Sequence, residues 1–100
     1  MLQGVGYALT EELQQADGVL LNDSLSTYIA PLSVDIPEIE HIILEVPEPT
    51  GPNGAIGIGE PTVVPVAPAI ANAIADALEV RTYQIPMTSE RVLKAYQEQA

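Results

Sequence analysis

The chain has 100 residues, 14 acidic against 3 basic, giving a net charge of −11, and it has no cysteine. Nucleic-acid binding and electrostatic docking on anionic lipid are excluded as main roles, because both need clustered cations and the only ones (Arg81, Arg91, Lys94) fall in the last fifth of the chain. The missing cysteines exclude a disulfide scaffold, thiol chemistry and a cysteine-held metal within the chain, and a hydrophobic content of 47% sets aside a charge-rich disordered tail.

Leu2, Val5, Leu9 and Leu13 recur at helical spacing, which predicts a first helix near 2–16 that ends at the turn dipeptide Asp17-Gly18. Gly4 and Gly6 fall in its first turns, where glycine costs roughly 1 kcal/mol against alanine. Either another backbone or ligand comes close there, or the helix start frays. Extended segments are predicted near 26–36 and 41–46. The first is interrupted by Pro31 and bounded by Pro37; the second, His41–Val46, is mostly β-branched. By period two, His41, Ile43 and Glu45 share one face of that second segment.

Residues 47–61 form a loop too long for a simple connection and, over Ala55–Gly59, too apolar for a solvated linker. Val66, Ile70, Ile74 and Leu78 then predict a helix near 63–78, which starts at Pro65–Pro68 or is kinked there. A third extended stretch follows near 80–85. A last helix near 88–98 has Thr88 as N-cap and Glu90 in its first turn. The fold class is therefore α+β, with all 100 residues forming one piece. The run Val63–Leu78 is broken by prolines, Asn72 and Asp76 and falls short of a membrane span of ~20 clean apolar residues. No basic segment precedes an apolar run at the start, so the expected location is cytoplasmic.

Few residues carry chemistry on their own pattern. His41 has no second His or Cys to complete a metal site, so no metal ligand is assigned. The acidic run Asp35, Glu38, Glu40, Glu45, Glu48 lacks calcium-loop spacing and is read as a solvated or partner-facing edge. Glu60 stands out, at the end of an apolar glycine-rich loop and just before Pro61. It is either a helix-start carboxylate favoured by the dipole or a buried acid raised toward general-base strength.

The run Gly-Pro-Asn-Gly-Ala-Ile-Gly-Ile-Gly-Glu-Pro (51–61), followed by an alanine-rich helix, resembles the C-terminal part of the molybdenum-binding large subunit of the xanthine dehydrogenase/aldehyde oxidase family. Three further segments resemble that family in the same order: Leu2-Gln3-Gly4-Val5-Gly6, Thr27-Tyr28-Ile29-Ala30-Pro31 with Asp35-Ile36-Pro37, and Pro86-Met87-Thr88-Ser89-Glu90. The resemblance covers essentially the whole chain. It implies that Glu60 is the catalytic base, taking the proton from a metal-bound hydroxyl that then attacks an electrophilic substrate carbon. It implies that Gly57, Ile58 and Gly59 line the cofactor, and that Gln3, beside Gly4, hydrogen-bonds its pterin. Departures are Asn53 where several members have an aromatic, Ile56 where many have lysine, and Glu79 where glycine is common.

The same resemblance implies a molybdenum–pterin cofactor, its cytosine dinucleotide form being one option. It also implies iron–sulfur centres, with FAD as an option, on partner subunits, and a small-molecule substrate such as a heterocycle or aldehyde. The family's subunit is several times longer, so the chain is expected to be one piece of it, inactive alone. With four tyrosines and no Phe or Trp, it is poor material for an independent core. The competing expectation is a non-catalytic structural or interaction module of the same fold.

Overall fold

The computed structural model describes residues 1–99. Three helices dominate: α1 (Leu2–Leu9), α2 (Val66–Leu78) and α3 (Ser89–Gln99). Among the described residues the one sheet is a two-residue antiparallel ladder, β1 (Gln15–Ala16) with β2 (Val19–Leu20), in which Gln15 faces Leu20 and Ala16 faces Val19. Short 3₁₀ turns occupy Ser33–Asp35 and Pro52–Gly54. The α+β class holds, and all three helices fall where the periodicity put them. No described helix is long and apolar enough to cross a membrane.

Several predicted boundaries do not hold. Helix α1 stops at Leu9, not near residue 16, because Asp17 (φ 50°) and Gly18 (φ 80°) close a tight hairpin that pulls residues 15–20 into extended backbone. Buried Asn22 fixes the change of direction: its Oδ1 accepts the Gln14 N–H at 2.8 Å and its Nδ2 donates to the Glu12 carbonyl at 2.6 Å. Leu13, counted on the apolar face, is left exposed. The expected strand at Ser26–Ala30 is a turn, in which Thr27 and Tyr28 donate their N–H groups to the Ser24 carbonyl at 3.0 and 2.8 Å. The hydroxyls of Ser24, Ser26 and Thr27 bond to one another, the local pairing by which Ser and Thr compete with a ladder. Residues 41–46 and 80–85 join no sheet.

Helix α2 begins at Val66, with Pro65 as N-cap and Pro68 still within the first turn, where its missing N–H costs nothing. It ends in left-handed Glu79 (φ 58°, ψ 21°), whose N–H bonds back to Ala75. The core is small: Ala8, Val80 and Met87 are buried, and Met87 donates its N–H to the Ala8 carbonyl at 2.6 Å. Overall extension is large. The radius of gyration is 17.5 Å against about 13 Å for a compact chain of this length. The accessible surface is 8205 Å² against roughly 5,500 Å² for a folded monomer of this mass.

Candidate functional site

Loop 47–61 is built in two parts. Its first part closes on itself: Glu48 N–H donates to the Gly54 carbonyl at 3.0 Å, and Gly51 N–H to the Glu48 carbonyl at 3.1 Å. Asn53 (φ 56°) and Gly54 (φ 77°) take the left-handed positions that this tight turn needs, which asparagine tolerates. The Glu48 carboxylate accepts the Thr50 hydroxyl at 2.7 Å and the Thr50 N–H at 3.1 Å, and these bonds hold its pKa below the ordinary value.

The second part, Ala55–Gly59, is exposed. A Cβ added at Gly57 or Gly59 would meet no atom within 4 Å, and neither residue has positive φ. Nothing within the chain requires glycine at these positions, so their main chain presents a bare, open face. Ile56 and Ile58 on either side of Gly57 are also exposed.

Glu60 follows at the start of a turn in which its carbonyl accepts the Val63 N–H at 2.9 Å. No acid lies in the first turn of α2, so Glu60 is not a helix-start residue; it precedes Val66 by a full irregular turn. Its carboxylate is exposed, so any desolvation must come from a surface outside this chain.

The structure ties this turn to α1. Tyr7 donates its hydroxyl to the Val63 carbonyl at 3.1 Å. Gly4 is buried against Val66, and a Cβ there would come within 2.6 Å of the Val66 Cβ. The glycines of α1 therefore answer a close approach, and the approaching group is α2. Gln3, next to Gly4, keeps its side chain exposed at this junction.

A separate concavity lies elsewhere. A cleft of about 900 Å³ runs between the end of α1, residues 81–84 and α3, and contains none of the predicted site residues. It holds a pair that the sequence pattern did not single out: Arg91 donates to Glu12 at 2.6 Å and to the Pro86 carbonyl at 2.9 Å. Two residues 79 apart leave no local signal for such a pair. Tyr28 likewise donates to Glu11 at 2.7 Å, and its pKa is raised by that bond and then by burial. Among the described residues no group of three or more His, Cys, Asp or Glu could hold a metal ion.

Comparison with known proteins bears on this arrangement. The chain is 36% identical over 98 residues to the xanthine dehydrogenase molybdenum-binding subunit of Escherichia coli O157:H7, covering 96% of this chain and 13% of the relative. It is 38% identical over 96 residues to an aldehyde oxidoreductase molybdenum-binding subunit of Escherichia coli (strain K12), covering 93% and 13%. Its fold matches the crystal structure of quinoline 2-oxidoreductase from Pseudomonas putida 86 with a TM-score of 0.86 at 34% identity, over 97% of this chain and 13% of that one. The chain belongs to the xanthine dehydrogenase/aldehyde oxidase family of molybdenum-binding subunits. No protein-family model matches it. It spans about 13% of the length of these family members. The match extends across all four ordered segments, from the α1 glycines to α3, and not only across the Gly-Glu loop.

Proposed function

We propose that this chain is the catalytic-base segment of a molybdenum hydroxylase, active only with the rest of a large subunit. One observation carries the reading: Glu60 ends a loop with an open main-chain face, and the turn it starts is pinned to the Gln3-Gly4 end of α1 through Tyr7 and Val66. The molybdenum-binding relatives support it, and their greater length supports a site enclosed mostly by other segments.

The residues fit a molybdenum–pterin group, the cytosine dinucleotide form being one version. Bare backbone at Gly57 and Gly59 leaves room for a flat ring system to lie against it. The Gln3 carboxamide can donate and accept at once, which suits a pterin edge, and Gly4 fixes the helix that presents it. When bound, the group supplies the two-electron redox chemistry.

Glu60 then acts as a general base, accepting a proton at a carboxylate oxygen from the water-derived nucleophile. Covering by the rest of the subunit strips water from that carboxylate and strengthens it as a base. Ile56 and Ile58 supply apolar walls that keep water out. The substrate is a small heterocycle or aldehyde, and iron–sulfur partners receive the electrons, with a flavin partner as one option.

The test is Glu60→Gln in the chain co-produced with the remainder of its subunit. Substrate turnover should fall by about 10²–10⁴ with molybdenum content unchanged. Undiminished turnover would remove Glu60 from the chemistry.

A further inference from the structure

Residues 38–46 lie in the middle of the chain without a partner. Among the described residues, none of their N–H or C=O groups takes part in a backbone or side-chain hydrogen bond. The run is aliphatic and open on both sides: Ile42 is 79% exposed, Ile43 81%, Leu44 82% and Val46 73%. Unpaired backbone together with exposed aliphatic side chains is the condition of a strand lacking its sheet, because both lacks are met at once by adding to a sheet edge.

The two faces differ. Ile42, Leu44 and Val46 alternate onto a wholly aliphatic face, while His41, Ile43 and Glu45 share the other. We propose that residues 41–46 dock as a β-strand on a sheet edge of the remainder of the large subunit, with the Ile42/Leu44/Val46 face turned to that body's core. This rests on the reading of the chain as part of a larger subunit.

Two observations choose this occupant over a second copy of the chain. The surface beyond that of a folded monomer is roughly 2,700 Å² on this chain alone, or about 5,400 Å² counted over both sides, the scale of the largest obligate interfaces between parts of one body. Self-pairing would bring two chains of charge −11 together, with Glu38, Glu40, Glu45 and Glu48 of each copy along the shared edge. Like charges across paired strands oppose such a ladder.

Hydrogen exchange on the chain co-produced with the subunit remainder tests the proposal. Amides of residues 42–46 should exchange at least ~100-fold more slowly in the complex than in the chain alone. Leu44→Asp should lower recovery of the complex at least ~10-fold, and His41→Asp should leave recovery within ~2-fold. A complex that forms and turns over substrate while these amides exchange freely overturns the docking and leaves the functional reading standing. Equal effects of the two substitutions, or slow exchange already present in a dimer of the chain alone, also overturn it. If no complex forms, both readings fail together.

Discussion

Gly4 and Gly57 are both glycines of the family-like segments, yet they are glycine for different physical reasons. At Gly4 a methyl group would come within 2.6 Å of the Val66 Cβ, so Gly4→Ala should destabilise the assembled protein by about 1–3 kcal/mol, read as a lower denaturation midpoint. At Gly57 the same methyl meets nothing, so Gly57→Ala should leave the midpoint unchanged and lower the molybdenum retained by the assembled subunit. Full metal retention in that variant would mean that the open face holds no cofactor. Glu79 makes a third case. It adopts φ 58° without the freedom of glycine, and Glu79→Gly should raise stability by about 1 kcal/mol in thermal unfolding. At this scale the sequence was informative wherever one residue type answers one backbone demand. The close approach at the α1 glycines was one of two readings that the sequence left open, and Glu79 stood out only as a residue where glycine is common in the family. The exposure of Glu60 was not legible, because burial depends on what covers a side chain and not on the side chain.

Elements divide by the range of the forces that form them. The helices follow from i, i+4 spacing and from proline and cap positions, all within a few residues, and their positions were legible. The ladder at 15–20 was not, since a helix pattern running to Leu13 competes with the hairpin, and the deciding bonds come from Asn22. The Ser24–Tyr28 turn was missed because β-propensity was weighed without the hydroxyl bonding that opposes it. Helix α3 is held to the stretch after α1 by Arg91, whose guanidinium bonds Glu12 and the Pro86 carbonyl. Both side chains of that pair are about a third exposed, so Arg91→Ala should cost only ~1 kcal/mol in denaturant unfolding, less at high salt. In the loop, Glu48 has a lowered pKa, so its contribution is present above the ordinary carboxylate value and is lost as pH falls through the folded one. After correction for the pH dependence of intrinsic exchange, protection of the Thr50 amide should therefore fall in acid, and Thr50→Val, which removes the hydroxyl bond to Glu48, should weaken that dependence; protection independent of pH in the unsubstituted chain would contradict it.

On the scale of the whole molecule, aliphatic side chains that would fill a core lie on the surface. The chain alone should bind a hydrophobic dye strongly and unfold with a shallow denaturant dependence, and both signs should disappear on assembly. Sharp, dye-free unfolding of the isolated chain would show instead that it is self-sufficient. Charge is distributed as unevenly as apolar surface. Arg81, Arg91 and Lys94 all line one cleft, where they face Glu12, Glu90 and Glu98. The cleft therefore balances three acids with three bases, the other 11 of the 14 acidic residues lie outside it, and the molecule is a permanent electrical dipole. A positively charged body approaching it exerts a torque as well as a pull, and meets it with the cleft turned away before any atoms touch. Added salt shortens the reach of that field from about 8 Å at physiological ionic strength, so it slows arrival and leaves departure nearly untouched.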